Sequence, residues 1–209
     1  MQILLVAATE KEIGSFSSCL PGTDVLITGV GAPATIYHLL KRIGQMDYDL
    51  IIQAGIAGSF TEDLSPGMTV LISQDCFGDL GVEINEKFNT VFEEGFCDEN
   101  EFPFMNGWLL NDHPLLHIGS FRQAKAITVN KVTDNLQQKK RLIKKFSPQV
   151  ESMEGAALHY VCLQEKIPFL QLRVISNYVG ERDRSKWKIK ESIEILKTAI
   201  GKLVEMLEG

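Results

Sequence analysis

Residues 48–58 read YDLIIQAGIAG: a wholly apolar core, Leu50–Ile52, is followed by a polar glutamine and then by two closely spaced glycines. An apolar run this short, bounded by glycine, is typical of a strand buried on both faces, as in a sheet covered by helices. We therefore predict a buried strand at 48–58 that runs into a glycine-rich turn.

Working outward from this strand, apolar runs alternate with segments of helical spacing along the whole chain. Ile36, Leu39 and Ile43 share one face of a helix, and the stripe from Ile189 to Leu207 marks a long amphipathic helix at the end. Such alternation implies an α/β fold, a three-layer αβα sandwich formed by residues 1–209 as a single domain. The predicted strands are 3–8, 24–31, 48–58, 65–73 (a turn and a strand), 117–130 (one or two strands) and 169–176. The predicted helices are 32–45, 133–146 (capped by Thr133 or Asp134), 154–166 and 185–208.

Composition excludes several classes of protein. The chain has 209 residues and a formal net charge of −6, which argues against nucleic acid as a partner. No apolar run reaches the ~18–20 residues of a membrane span, and the N-terminus reads as a core strand rather than a signal peptide. The cysteines are scattered without a C-x-x-C pair, so a reduced, cytoplasmic protein is expected. These are Cys19, Cys76, Cys97 and Cys162.

Polar residues placed just after the predicted strands are the candidates for a site. In open α/β sheets, ligands bind beyond the carboxyl ends of the strands. The set is rich in carboxylates and amides and poor in histidine and cysteine. It comprises Glu10 and Glu12, residues 29–31, residues 55–58, Val129 and Asn130, Met153 and Glu154, and Ser176 and Asn177.

Several of these motifs have a plain structural explanation as well as a functional one. GVGAPA (29–34) lacks the third glycine of a dinucleotide loop and is either a tight turn or a backbone that approaches an anion or sugar. Glu12 is either a helix-start acid or a general base, and Glu154 either a helix-start acid or an acceptor for a vicinal diol. His113 and His117 favour a loop over a metal site, and KKRLIKK (139–145) favours a solvated helix face.

Four motifs in order give a more specific indication: ATEKE (8–12), QAGIAG (53–58), SMEGAA (152–157) and RVISN (173–177). Together they resemble the nucleoside phosphorylase/nucleosidase superfamily, and within it the methylthioadenosine/S-adenosylhomocysteine nucleosidases and, more closely, the futalosine hydrolases. The resemblance implies a central mixed, twisted and partly barrel-like sheet, and a homodimer or a higher homo-oligomer. It implies no metal and no other cofactor.

The resemblance also implies roles for individual residues. Glu12 falls on the carboxylate that activates water, and Glu154 on the acid that holds the ribose hydroxyls. Asn177 sits where these enzymes contact the departing purine. Met153 is expected to pack on the sugar, Val129 to offer backbone groups to the six-membered ring edge, and Trp187 to cover the base. Ile56 falls in the nucleophile pocket. Arg173 either orients the site or, like Arg182 or Arg184, meets a carboxylate on the 5′ group.

Departures from the family pattern refine the expected chemistry. Gln53 stands where the phosphorylases keep an arginine for phosphate, so water is the expected nucleophile. Ile56 replaces a frequent hydroxyl residue and makes the pocket drier, and Ser152 replaces a glutamate. Asn177 replaces the aspartate of the adenosine-type nucleosidases, and its amide donates to the N7 and 6-oxygen acceptors of hypoxanthine without a perturbed pKa.

The resemblance, with these departures, implies a purine nucleoside hydrolase, and we expect it to convert futalosine and water into dehypoxanthine futalosine and hypoxanthine, a step of menaquinone biosynthesis in the enzymes that it resembles. The alternatives are a methylthioadenosine/S-adenosylhomocysteine nucleosidase, a 6-oxopurine phosphorylase, or a nucleoside-binding protein of the same fold without catalysis. The irregular segment 78–117, with Phe102, Phe104 and Trp108, is expected to be a functional loop or a partner contact that supplies an aromatic wall.

Overall fold

The structure is a computed structural model that describes residues 1–14, 22–85 and 87–208. Its centre is one mixed sheet, with helices on both faces. The strands are β1 Ile3–Ala7, β2 Thr23–Ile27, β3 Leu50–Ser59, β4 Thr69–Asp75, β5 Gly81–Ile84, β6 Lys87–Thr90, β7 Leu109–Leu110, β8 Arg122–Thr128, β9 Val150–Ser152 and β10 Phe169–Tyr178. The helices are α1 Glu10–Ile13, α2 Ala32–Ile43, α3 Leu136–Phe146, α4 Gly155–Glu165 and α5 Ile189–Glu208.

Part of the sheet closes on itself. Strands β3, β10, β4, β8 and β9 pair in sequence, and β9 pairs back to β3, so they form a ring from which β1 and β2 extend. One edge of β3 therefore changes partner: it pairs with β1 over Leu50–Gln53 and with β9 only from Gly58 onward. We call the intervening residues 54–57 the fork. The predicted mixed, partly barrel-like sheet is confirmed.

Side-chain alternation along β1 builds the three layers. Ile3 and Leu5 belong to a buried cluster with Leu196 and Ile200 of α5, whereas Leu4 lies in a second cluster with side chains of α2 and α4. Period-two alternation on a strand sends successive residues to opposite faces, so each face of the sheet needs its own helical cover. A third cluster draws on every strand of the ring and fills its interior: Ala57, Val70, Ile72, Ala124, Ala126, Val150 and Ile175.

The prediction of a glycine-rich turn after the buried strand is wrong, because β3 continues as a strand to Ser59. Its glycines make room for side chains of β10 and the residues after it. A Cβ on Gly55 would collide with the Arg173 guanidinium, and one on Gly58 would lie 2.9 Å from Cγ2 of Val179. The glycines therefore serve close approach and do not bend the chain.

Several other boundaries differ from the predictions. Helix α3 is capped by Asn135, whose Oδ1 accepts the Gln138 N–H at 2.8 Å, so the predicted caps Thr133 and Asp134 are wrong. Strand β10 extends beyond 176 to Tyr178, and α5 begins at Ile189 after a short 3-10 turn at Arg184–Lys186. The segment 78–117 contains the β5–β6 hairpin and short β7. None of the described helices is long and apolar enough to cross a membrane.

Candidate active site

The fork in β3 is where the first candidate residue, Glu12, is held. Ile56 lies in the fork, and its N–H donates to Oε1 of Glu12 at 3.3 Å. Oε2 accepts from the N–H and the hydroxyl of Thr9, both at 3.0 Å, because Thr9 and Glu12 form a capping box at the start of α1. Glu12 is buried, and both of its oxygens are fixed in place.

Glu154 is held by the glycine motif at 29–34. It is the N-cap residue of α4, and its Oε1 accepts the Gly31 N–H at 2.9 Å. Gly31 has a φ of 93°, a conformation that favours glycine. The motif is therefore a tight turn whose backbone N–H faces a carboxylate. Burial raises the pKa of Glu154, the positive charge of Arg173 and the Gly31 N–H lower it, and the negative charge of Glu12 raises it again.

A β-bulge brings Asn177 into position. Ile175 and Asn177 pair with consecutive residues of β3, Ala57 and Gly58, so Ser176 is the extra residue. In a regular strand neighbouring side chains point to opposite faces, but here Ser176 and Asn177 both line one cavity. The bulge therefore delivers both polar groups to the same place.

The amide of Asn177 has a defined orientation. The Ser176 hydroxyl lies 2.8 Å from Oδ1 of Asn177 and 3.2 Å from the carbonyl oxygen of Ala57, and it donates to the nearer acceptor. Nδ2 of Asn177 donates to the carbonyl oxygen of Tyr178 at 3.2 Å. Its second N–H has no partner in the part of the chain that the structure describes. Asn177 therefore keeps one unpaired hydrogen-bond donor in a residue that lines the cavity.

These groups surround a cavity of about 280 Å³. Glu12, Glu154 and Asn177 all line it, and a third carboxylate, that of Glu151, lines it as well. Among the described residues, Lys11 is the only lysine or arginine in the lining, so negative charge dominates. A cavity of this character favours a ligand that develops positive charge and disfavours a phosphate ion.

Three more of the predicted site residues also line the cavity, and two do not. Ile56, Met153 and Trp187 are lining residues, and Nε1 of Trp187 donates to the Glu181 carbonyl oxygen at 3.2 Å. Val129 is buried in a neighbouring apolar cluster, and its N–H donates to the carbonyl oxygen of Ser152 at 2.9 Å. The N–H that was expected to meet a base is thus already bonded within the protein.

Arg173 lies behind the cavity wall and is almost fully buried. Its Nη2 donates to Oε1 of Gln53 at 2.5 Å, and Nη1 fills the space beside Gly55. Arg173 is not among the residues that line the cavity, a placement that agrees with the expected role in orienting the site, and its contact with a 5′ carboxylate stays a prediction. Arg184 lies instead at the surface with its guanidinium 5.7 Å from the Trp187 ring centroid.

A buried polar network anchors the helix that follows Glu154. The Thr128 hydroxyl donates to Oδ1 of Asp75 at 3.1 Å and accepts the N–H of Ala156 at 2.7 Å. Nε2 of Gln171 donates to Oδ2 of Asp75 at 3.2 Å. Asp75 is fully buried, so its charge is stabilised by these contacts and by the N-terminus of α4.

The network depends on the first glycine of α4. A Cβ on Gly155 would collide with Gln171 and Asp75, so only glycine lets the helix approach this closely. Burial raises the pKa of Asp75 to about 7, against the lowering effects of Gln171, Thr128 and the Arg173 charge. The backbone next to Glu154 is therefore supported by a carboxyl that titrates near neutrality.

The sequence did not single out Glu151, and it marked Ser176 as a candidate without a role for its hydroxyl, yet both residues line the cavity. The available signal was weak, because one acid and one serine at a strand end look like ordinary surface residues. Ser152, the departure from the family glutamate, also lines the cavity, and its Oγ accepts the Gly155 N–H at 3.3 Å.

The aromatic residues of the segment 78–117 do not line this cavity. Phe104 packs against Phe92 and Tyr160, and Trp108 packs against Phe146 under the ammonium of Lys125. Phe102 is 61% exposed. The aromatic wall therefore stays a prediction, and within one chain only Phe102 of the three is free to supply it.

Comparison with known proteins agrees with this architecture. Residues 16–208 match the profile of the Phosphorylase superfamily. The futalosine hydrolase of Streptomyces coelicolor is 30% identical over 199 residues, which cover 90% of this chain and 81% of that protein. A 5′-methylthioadenosine/S-adenosylhomocysteine nucleosidase of Buchnera aphidicola is 26% identical over 99% of this chain and 96% of its own length. The chain belongs to the phosphorylase superfamily, which confirms the resemblance of the four motifs.

Solved structures share the fold. The native futalosine hydrolase of Helicobacter pylori superimposes with a TM-score of 0.80 at 15% identity, covering 97% of both chains. A mutant of the H. pylori methylthioadenosine nucleosidase with 5′-methylthioadenosine in the active site gives a TM-score of 0.81 at 16% identity, over 98% of both chains. At these identities the superpositions show the fold alone.

Proposed function

We propose that this protein hydrolyses the N-glycosidic bond of a purine nucleoside, and that its substrate is futalosine, which yields dehypoxanthine futalosine and hypoxanthine. The observation that carries the choice of base is the Asn177 amide, whose Oδ1 is occupied by Ser176 and whose N–H is left for a ligand. A 6-oxopurine offers acceptors at N7 and O6 to such a donor. The similarity to futalosine hydrolases supports the same assignment.

The proposed mechanism assigns one step to each fixed group. Glu12 takes a proton from a water molecule that attacks C1′, and Glu154 accepts hydrogen bonds from the ribose hydroxyls. Positive charge develops on the sugar as the bond to the base breaks, and the carboxylates around the cavity stabilise it. Asn177 donates a hydrogen bond to the departing base as negative charge builds there, and the released base takes up a proton from solvent to become neutral hypoxanthine. Water rather than phosphate is the proposed nucleophile, since Gln53 is bonded to Arg173 and the lining is acidic.

A methylthioadenosine/S-adenosylhomocysteine nucleosidase is the second candidate, favoured by the relatives of that name. It would require an adenine ring to meet the Asn177 donor, although its 6-amino group is itself a donor. We further propose a cytoplasmic homo-oligomer, as the resemblance implies.

The test is a turnover assay with futalosine, inosine and methylthioadenosine, each with and without phosphate, in which free base is measured. We expect phosphate-independent release of hypoxanthine from futalosine. The Glu12→Gln variant should bind futalosine without turnover, which excludes a contaminating activity and a mere binding protein. Faster release of adenine than of hypoxanthine would refute the choice of base, and strict dependence on phosphate would identify a phosphorylase.

A further inference from the structure

We propose that Gln53 is a positioning residue, which holds the guanidinium of Arg173 away from Glu12 and so keeps the Glu12 carboxylate free to accept a proton. This inference rests on the proposed function, in which Glu12 is the base that activates water. Gln53 is itself buried and does not line the cavity, so it acts on the reaction only through Arg173.

The first observation is that the guanidinium of Arg173 is held at a single point. A guanidinium carries five N–H donors. Within the part of the chain that the structure describes, the one hydrogen bond of this group runs from Nη2 to Oε1 of Gln53 at 2.5 Å, and Nε is buried without a partner. Loss of the Gln53 oxygen would therefore leave a buried positive charge without its hydrogen bond.

The second observation is that Arg173 and Glu12 face each other across Gly55. Arg173 of β10 is in register with Gly55 of β3. Nη1 of Arg173 and Oε1 of Glu12 both lie within 3.1 Å of the point that a Cβ on Gly55 would occupy. Yet no ion pair joins these two described residues. Because both are buried, solvent screens the attraction between them only weakly.

The third observation is that β3 holds the two charges apart along its length. Gln53 precedes Gly55 by two residues, a spacing that places both on the same face of the strand. Ile56 follows Gly55, and its N–H donates to Oε1 of Glu12 at 3.3 Å. The guanidinium is thus bonded at the residue before the gap, and the carboxylate at the residue after it.

The other carboxyls near Arg173 are already bonded elsewhere. The positive charge of Arg173 opposes the burial that raises the pKa of Glu154 and of Asp75, so it lies among these groups as well. Oε1 of Glu154 accepts from Gly31, however, and Asp75 accepts from two neighbouring side chains. Oε1 of Glu12 has only the long bond to a backbone N–H, and it is the acceptor across the gap.

The expected consequence of losing the Gln53 oxygen is an ion pair between Arg173 and Glu12. A carboxylate in an ion pair is a weaker base, because the positive charge favours its ionised form. The guanidinium would also occupy the oxygen that has to accept a proton from water. Gln53 therefore preserves the basicity of Glu12 without touching it.

The experiment measures kcat and KM for hypoxanthine release from futalosine. Gln53→Met keeps the length of the side chain and removes its acceptor. We expect kcat to fall at least about tenfold with a smaller change in KM, because general-base catalysis contributes that factor or more. Gln53→Glu keeps an oxygen for the guanidinium and should retain most of kcat. Gln149→Met is the matched control: it removes a glutamine oxygen that accepts the Lys125 N–H outside the cavity, and it should leave both constants unchanged.

A crystal structure of Gln53→Met gives a readout that does not depend on activity. Nη1 of Arg173 is expected within about 4 Å of a carboxylate oxygen of Glu12, the distance of an ion pair. A guanidinium that keeps its wild-type place would refute the inference, as would an equal loss of kcat in Gln53→Met and Gln53→Glu. If Gln53→Met does not fold, Gln53→Asn decides, because its side chain is one methylene group shorter: a similar loss of kcat supports the inference, and wild-type kcat overturns it.

The outcomes separate this inference from the proposed function. If the wild type releases no hypoxanthine from futalosine, or releases it only with phosphate, the proposed function fails. If the wild type hydrolyses futalosine and Gln53→Met does so with the same kcat, only the role of Gln53 is refuted.

Discussion

At the scale of single residues, the site is built from groups that are fixed before any ligand arrives. The capping box and the fork hold both oxygens of Glu12, and Gly31 holds Glu154. Ser176 sets the orientation of the Asn177 amide. Groups held in this way need little reorganisation as charge develops in the transition state, which is the main source of electrostatic catalysis.

Asn177→Asp is the most informative single substitution. The carboxylate would lose the N–H that meets the base and would place negative charge where negative charge builds. We expect kcat for hypoxanthine release to fall about 10²–10³-fold, with a much smaller change in KM, because the lost donor acts on the transition state. Steady-state kinetics with futalosine measures both constants. An unchanged kcat would show that Asn177 does not assist departure of the base.

The sequence was informative at this scale where a residue type carries chemistry on its own. Glu12, Glu154 and Asn177 follow predicted strands and match family motifs, so they could be predicted to meet. The bulge at Ser176 could not, because Ile-Ser-Asn reads as regular alternation and would send Ser176 away from Asn177. Glu151 was missed for a related reason: it reaches the cavity lining through the pairing of β9 with β3, which is not visible in the order of residues.

At the scale of elements, helix α4 joins the buried network to the site. Its N-terminus rests on Thr128 and Asp75, and the residue just before its first glycine is Glu154. The burial of Asp75 makes this support sensitive to pH. A carboxyl whose pKa is raised on folding, here from 3.8 to about 7, binds its proton more tightly in the native state. The free energy of unfolding contributed by Asp75 therefore falls as pH rises through that window.

Asp75→Asn should remove this pH dependence. Gln171 has an unpaired Oε1 and can rotate its amide to accept from the new side chain, so the network can re-form. We expect the stability of the variant relative to the wild type to increase from pH 5 to pH 8, measured by urea unfolding. Buried His159, whose pKa is lowered to about 4 chiefly by burial, has the opposite trend, and because this burial is the same in both proteins the main part of its contribution cancels in the difference. The exposed Asp63→Asn variant is the control. If the stability of Asp75→Asn changed with pH in parallel with that of the wild type, the raised pKa assigned to Asp75 would be wrong.

At the scale of the whole molecule, β3 is the strand on which both parts of the sheet depend. It pairs with β10 along most of its length and, on its other edge, first with β1 and then with β9. The β5–β6 hairpin, by contrast, forms its own two-stranded sheet and is largely exposed. The alternation of strands and helices was enough to predict the three layers, but the closure of the ring depends on long-range pairing that no local pattern specifies.

Native-state hydrogen exchange should differ between β3 and the β5–β6 hairpin. Amides of residues 50–53 in β3, bonded on both edges within a buried sheet, are expected to exchange only by global unfolding. Amides of residues 81–84 and 87–90 should exchange orders of magnitude faster through local opening. Exchange followed by NMR or mass spectrometry across a urea series distinguishes the two. Equal protection of hairpin and β3 would mean that the hairpin unfolds together with the core.

The bulge at Ser176 also makes this part of the chain intolerant of changes in length. The direction in which the Asn177 side chain points depends on the extra residue, Ser176. A deletion of one residue between Arg173 and Asn177 would therefore restore regular alternation. The amide would then point away from the cavity, even with every other side chain of the site retained. Among homologous sequences, a single-residue gap at this place is therefore a stronger mark of altered base selection than most substitutions in the cavity wall.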